Sequence, residues 1–125
     1  MTTIIEFLNA RLDEDEAKAT AAARGATWVA SQRDGVVDLD DTHGHQIAGG
    51  DGGLAWSDAE FMAHHDPARA LREIAAKRLL LAQWADRYST NPHIVSTEVS
   101  DAVDVLHALA TVYADHPDYR QEWTP

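Results

Sequence analysis

The residues best suited to chemistry lie in two histidine-containing segments. His43 and His45 flank a single glycine, and His64, His65 and Asp66 are consecutive. Neutral imidazoles and a carboxylate are ligands that zinc and other divalent metals accept. In an extended segment, side chains two positions apart lie on the same side. The pattern therefore predicts a candidate metal site formed by these five residues.

The same residues also fit a purely structural role. Gly44 loosens the first segment, and adjacent histidines on a helix project about 100° apart, which makes it hard for His64 and His65 to share one metal. Histidines near the end of a helix are also favoured by the helix dipole. The alternative to a metal site is therefore a set of surface and helix-capping histidines, and no cofactor is predicted.

A second pattern of chemical interest is Asp38-Leu39-Asp40-Asp41-Thr42. Its Asp-x-Asp-x-Thr spacing is that of haloacid-dehalogenase-type phosphotransferases, in which a carboxylate attacks phosphorus. That fold needs a parallel sheet with alternating helices, whereas the residues after Thr42 indicate helices alone. The favoured interpretation is the solvated end of a hairpin. With no nucleophile tied to a base elsewhere, no catalytic residue is predicted.

The end of the sequence is unusually rich in aromatic residues, with Tyr113, Tyr119 and Trp123 close together. Two interpretations stay open. Either this tail folds back and covers the helices or the sheet, or it forms an exposed protein-binding patch, since Tyr and Trp dominate interface hot spots.

The overall charge narrows the classes of partner. The chain has 125 residues, 21 of them acidic and 10 basic, which gives a net charge of −11. Such a chain repels phosphate backbones and anionic lipids, so neither direct nucleic-acid binding nor membrane binding is predicted. A basic partner protein or a cationic ligand is favoured. The same charge is also compatible with a function as an acidic DNA mimic, which would inhibit a nucleic-acid-binding protein.

The cysteine content and the amino-terminal residues narrow the possible functions only a little further. The sequence contains no cysteine, so disulfides, thiolate metal sites and thiol nucleophiles are not expected. The first residues lack the basic and apolar regions of a signal peptide, and no segment approaches the ~20 apolar residues of a membrane span. The expected location is the cytoplasm.

The elements that must position these residues are mainly helical. Capping-box spacing at Thr3 and Glu6 predicts a helix over 3–24, and the same spacing at Ser57 and Glu60 predicts a short helix to about His64. Asp66-Pro67 predicts the start of a long helix over 66–89 that packs on the first and last helices, since aspartate caps and proline suits the first turn. Asn91-Pro92 is expected to stop it, and a last helix is expected over 97–114.

Between the first two helices the pattern changes to short β-prone runs. Asp34-Gly35 is typical of a tight hairpin turn, and a glycine-rich stretch follows at 49–53. A small sheet is only marginally stable on its own, so we expect it to pack against a helix through Trp28 and Trp56. The predicted fold is thus mainly α with a small antiparallel β-meander (α+β), three to four helices, and a single domain over 1–125.

Three blocks of the sequence resemble a known family. They are FLNARLDEDE, HHDPARALREIAAKRLLL and YADHPDYRQEWTP, and they resemble an actinobacterial and actinophage family of unknown function, DUF6221. The resemblance runs from the first helix to the tail. It implies a small accessory protein of an actinobacterium or one of its phages. It implies no reaction, so no catalytic residue is carried over.

The expected function is a non-enzymatic protein-interaction module, of which a homodimer is one form. Two alternatives from other classes stay open, a histidine-based metal-binding protein or enzyme and an acidic DNA mimic of phage origin. The first would carry bound metal, and the second would space its carboxylates like phosphates along one surface.

Overall fold

The computed structural model describes residues 2–50, 53–90 and 97–125. Within these ranges the chain has four α-helices, one antiparallel sheet and two short 3-10 turns. The fold is therefore mainly α with a small β-meander, as predicted. In chain order the elements are α1 (Ile4–Ala23), β1 (Trp28–Arg33), β2 (Val36–Asp41), β3 (Gln46–Gly49), α2 (Trp56–His64), α3 (Pro67–Thr90) and α4 (Thr97–Ala110).

The chain forms two compact units. The first contains the amino-terminal residues up to Asp15 and those from Ile74 to the end, and the second contains Glu16–Glu73. Helices α1 and α3 each contribute one segment to each unit. A single domain over residues 1–125 stays a prediction.

Helix α1 begins with the predicted capping box. The Thr3 N–H donates to Glu6 Oε2 at 3.3 Å, and the Glu6 N–H donates to Thr3 Oγ1 at 3.2 Å. These bonds satisfy two of the backbone donors that every helix start leaves without a partner. Beyond its last residue, Arg24 and Gly25 adopt φ values of 47° and 72°, the left-handed conformation that ends helices.

The core of the first unit lies where three helices meet. Leu8 and Leu12 of α1 face Leu81 of α3 and Leu109 of α4, so the predicted packing of the long helix on the first and last helices is confirmed. An ion pair of 2.7 Å between Arg78 and Asp13 joins α3 to α1 at the surface. Among the described residues of this first unit, the buried apolar ones are Ile4, Phe7, Leu8, Leu12, Ile74, Leu81, Ala102, Leu106, Ala110 and Trp123.

The second unit is built on a β-meander in the order β1-β2-β3. Asp34 and Gly35 form the two-residue loop between β1 and β2, with φ values of 53° and 80°. A type I′ turn needs positive φ at both positions, and its twist matches that of the flanking strands. The hairpin predicted at this Asp-Gly pair is confirmed.

One face of the central strand β2 is covered by α2. Val37, Leu39 and Asp41 alternate with half-buried residues, as expected when one face of a strand packs against a helix. Leu39 of the strand and Ala59 of the helix are both fully buried, and α2 contacts β1 and β2. The sheet therefore leans on a helix, as predicted.

The start of α2 differs from the prediction. Ala55 is the N-cap, in an extended conformation with φ −78° and ψ 148°, and no side chain caps the helix. The capping box predicted at Ser57 and Glu60 is therefore wrong, since both residues lie inside the helix. An N-cap contributes only about 1 kcal/mol, so tertiary contacts of Trp56, the first helical residue, can override it.

Helix α3 begins as predicted at Asp66-Pro67. Asp66 Oδ1 accepts the Arg69 N–H at 2.9 Å, and Pro67 occupies the first helical position. The helix ends at Thr90, and the stop predicted at Asn91-Pro92 lies outside the described residues. Helix α4 ends at Ala110, and a 3-10 turn over Thr111–Tyr113 continues it close to the predicted end.

No helix in the described ranges is long and apolar enough to span a bilayer.

Candidate protein-interaction site

The aromatic tail folds back onto the first turns of α1 in the first unit. Trp123 is only 6% exposed, and its ring centroid lies 5.0 Å from that of Phe7, which is itself buried. Tyr113 and Tyr119 meet the same phenylalanine edge-on at 6.1 and 6.3 Å. Such pairs add to the stability that burial alone provides. Of the three residues predicted to bind protein, Trp123 is thus part of the core and the two tyrosines are half-buried.

Polar contacts hold the same tail. The Tyr113 hydroxyl donates to Asp15 Oδ2 at 2.7 Å. Burial, followed by this hydrogen bond and the nearby carboxylate, raises the pKa of Tyr113 above its usual value. The guanidinium of Arg11, itself buried, contacts His116 in the tail and Glu14 on its own helix. The tail is therefore anchored by hydrogen bonds as well as by aromatic packing.

The first predicted histidine pair lies around a buried carboxylate in the second unit. Asp41 Oδ1 accepts the backbone N–H groups of His43 and His45, both at 2.9 Å. The His45 ring is exposed, with Nδ1 3.3 Å from Asp41 Oδ2. The hydrogen bond from the His45 N–H and, after it, the one from His43 hold the pKa of Asp41 below its usual range, although burial opposes them. Asp41 therefore shapes the β2–β3 turn.

Asp41 predicts a measurable dependence of stability on acid. Because its folded pKa is lowered, its contribution is present above the usual carboxyl pKa of about 3.9 and is lost as the pH falls through the folded pKa. We expect the melting temperature of Asp41→Asn to fall less between pH 5 and pH 2 than that of the wild type. The exposed Asp104→Asn serves as control and should follow the wild type. Parallel curves for Asp41→Asn and wild type would contradict this role.

The second predicted histidine segment lies at the end of α2, which has His64 as its last residue. His64 and His65 are exposed and their rings lie edge to face at 5.2 Å, while His65 also stacks on Phe61 at 4.4 Å. Asp66 is buried, and its two oxygens accept the N–H groups of Arg69 and Trp28. Its carboxylate is thus already engaged within the fold.

The five residues of the predicted metal site do not come together as ligands. In the part of the chain that the structure describes, no three His, Asp or Glu side chains are grouped as a metal ion would require. The structure thus brings His45 to Asp41 and the ring of His64 to that of His65, without linking the two pairs in one site. Metal binding stays a prediction that rests on the histidine pattern.

A surface groove lies between strand β1 and helix α2 in the second unit. Its volume is about 400 Å³. One wall comes from the strand and the other from positions of α2 that recur at helical intervals. The lining residues are Trp28, Val29, Ala30, Trp56, Glu60, Ala63 and His64. The groove is mainly apolar, with one carboxylate and one imidazole.

Large apolar side chains around this groove are unusually exposed. Val29 is 50% exposed, Trp56 40% and Phe61, on the same helix, 65%. Folding normally places such residues inside, and clusters of them on a surface mark interaction sites. The indole Nε1 of Trp28, one of the lining residues, is buried with no hydrogen-bond partner among the described atoms.

Sequence reasoning found only part of this groove. It selected Trp28 and Trp56 as the contacts on which the sheet leans, but it placed Trp56 before the helix. It assigned Glu60 to a capping box, and it did not single out Phe61, which lies on the same helix. The available signal was the stretch Trp56–His64, a helix of only nine residues that carries two large aromatic side chains.

The fold and the groove define a small α+β protein with an exposed, mainly apolar groove between β1 and α2. Over residues 1–125 the chain matches the family of unknown function DUF6221. The chain belongs to this family, which confirms the resemblance of the three sequence blocks. Neither the curated proteins nor the solved structures contain a match to it.

Proposed function

We propose that this protein is a non-enzymatic protein-interaction module whose contact surface is the groove between β1 and α2. The observation that carries the proposal is the exposure of Val29 and Trp56 in one groove, together with that of Phe61 on the same helix as Trp56. Leaving these side chains in water costs on the order of 25 cal/mol for each Å² of apolar surface. A partner that covers them recovers this free energy on binding.

A protein partner fits the groove better than a small molecule does. Sites for small molecules are concave and enclose most of the ligand, with a few converging polar groups that fix its orientation. This groove is open along the strand, and Glu60 and His64 lie on one wall of it, one helical turn apart. Exposed tryptophan and phenylalanine are instead typical anchors of protein interfaces.

The charge of the chain favours a basic partner. A net charge of −11 attracts cationic surfaces and accelerates their association, whereas it opposes contact with nucleic acid. It also opposes association of two copies, so the homodimeric form of the module is the less favoured one. No feature of the described residues singles out the metal-binding or DNA-mimic alternatives. We further propose that the module works in the cytoplasm, and the family resemblance suggests an actinobacterium or one of its phages as its source.

Site-specific photo-crosslinking in an actinobacterial host tests the proposal. A photoreactive phenylalanine analogue at position 61 should capture a defined protein on irradiation, because that side chain protrudes beside the groove. The same analogue at Asp104, an exposed position on α4, is the matched control. Mass spectrometry then identifies the captured species and counts copies of this chain.

The result has clear consequences. A product formed from position 61 and weakened by Trp56→Ala in the groove would support the proposal. A product that contains only two copies of this chain would replace the basic partner with a homodimer. Equal products from both positions, or none from position 61, would overturn the groove as an interaction surface.

A further inference from the structure

We propose that the segment bound by this groove is an extended, basic peptide of the partner, which adds to the sheet as a fourth strand along β1. This inference rests on the proposed interaction function and specifies its mode. It follows from three features of the second unit: the hydrogen-bonding pattern of the hairpin, the groove beside its edge, and the carboxylates around it.

The pairing of β1 with β2 determines which backbone groups of β1 face outward. Thr42 N–H donates to the Thr27 carbonyl at 2.8 Å, so these two residues form a hydrogen-bonded pair. Such pairs alternate along an antiparallel ladder, and the register continues from Trp28 opposite Asp41 to Arg33 opposite Val36. The N–H and C=O groups of Val29, Ser31 and Arg33 therefore point to β2.

The intervening residues turn their backbone groups away from the sheet. Trp28 shows this directly, because its N–H donates to Asp66 Oδ2 at 3.0 Å rather than to β2. Ala30 and Gln32 follow in the same orientation, and β1 has no neighbouring strand on that side in the described sheet. A row of unpaired donors and acceptors of this kind is a template for another strand.

The groove lies along this same edge. Trp28, Val29 and Ala30 of the strand form one of its walls, and Trp56 and Ala63 of α2 are part of the other. In recognition by strand addition, main-chain hydrogen bonds supply affinity and pockets for alternate side chains supply specificity. A strand paired with Ala30 and Gln32 would place every second side chain in the groove, against the two tryptophans.

Carboxylates surround the edge and select for a basic segment. Glu60 lines the groove, and Asp40 and Asp38 lie opposite Val29 and Ser31 in the hairpin. An added strand would run roughly 10 Å from β2, which is two strand spacings and close to the Debye length at physiological salt. Lysine and arginine side chains shorten that distance further. A second copy of this acidic chain fits such an edge poorly.

Selection from a random decapeptide display library, with the full chain as bait, tests the inference. We expect enrichment of peptides that alternate apolar residues with Lys or Arg, at least about tenfold over the background of the variant Ala30→Pro. Proline removes the outward N–H of Ala30 without touching the ladder to β2, and it is tolerated at strand edges where the N–H faces away. Ala30→Gly keeps that N–H and should retain the enrichment.

Hydrogen exchange on an enriched peptide supplies an independent readout. The amides of Ala30 and Gln32 should slow on binding, while those of Val29 and Ser31, already paired, should change little. Should Ala30→Pro disturb the fold, this measurement on the wild-type chain still decides the matter. Glu60→Gln should weaken the binding of the same peptide and reduce its sensitivity to salt.

Two results of the selection would overturn strand addition: no enrichment above the Ala30→Pro variant, or enrichment of acidic or helical peptides. Absence of slowed exchange at Ala30 and Gln32 would do the same. A partner captured from position 61 in cells would leave the interaction function standing in each case, so the failure of the two proposals is distinguishable.

Discussion

Replacing Trp123 with alanine should lower the free energy of unfolding by about 3–5 kcal/mol, the usual cost of truncating a buried aromatic side chain. Trp123 is 6% exposed and packs on Phe7 at 5.0 Å between ring centroids. Its removal leaves a cavity beside Phe7, which is itself fully buried. Chemical denaturation monitored by circular dichroism measures the loss.

The control for this change is an exposed apolar residue near the same end of the chain. Val112 is 59% exposed, so Val112→Ala should alter the free energy of unfolding by about 0.5 kcal/mol or less. Trp123→Phe retains part of the aromatic contact and should fall between the two. A loss below about 1 kcal/mol for Trp123→Ala would show that the tail is not part of the core in solution.

Replacing Asp66 with alanine should lower the free energy of unfolding by about 2–5 kcal/mol. One carboxylate oxygen caps α3 at Arg69, and the other accepts the N–H of Trp28 at the start of β1. Loss of an N-cap costs about 0.5–2 kcal/mol. Loss of a hydrogen bond to a charged group, which here leaves a strand N–H without its acceptor, costs about 1.5–3 kcal/mol.

The substitution Asp66→Asn distinguishes the helix-capping role of Asp66 from its hydrogen bond to Trp28. Asp66→Asn keeps one oxygen, and asparagine is a good N-cap, so it should lose about half as much stability as Asp66→Ala. Asp104→Ala, at an exposed position, should change stability by about 0.5 kcal/mol or less. Hydrogen exchange should accelerate at Trp28 and Arg69 in Asp66→Ala, and unchanged exchange at both amides would refute the shared role.

The sequence predicts most of the fold because local rules and packing agree there. Thr3 with Glu6, Asp34 with Gly35, and Asp66 with Pro67 each carry a short-range signal that directly specifies a cap or a turn. The structure has the expected element at each place. Ser57 carries the same kind of signal, but the helix starts earlier, since a cap of about 1 kcal/mol yields to the placement of Trp56.

The candidate site is harder to predict because it depends on contacts far apart in sequence. Val29 and Trp56 line the same groove only after the hairpin has packed on α2, and no spacing rule links strand residues to a helix that follows a glycine-rich loop. The tail shows a second long-range dependence. From the sequence it could either fold back or form a binding patch, and the packing of the Trp123 indole on Phe7, at the other end of the chain, is visible only in the structure.

The bond from Trp28 to Asp66 also bears on aggregation. An unpaired strand edge can seed the stacking of identical chains, and natural sheets protect against this with short edges and nearby charges. Asp66 occupies the first outward N–H of β1 with a buried carboxylate. The outward groups that are left are those of Ala30 and Gln32 and the carbonyl of Trp28. This stretch is shorter than the roughly six residues that stacked segments of identical chains use, and it suits one short segment of another protein.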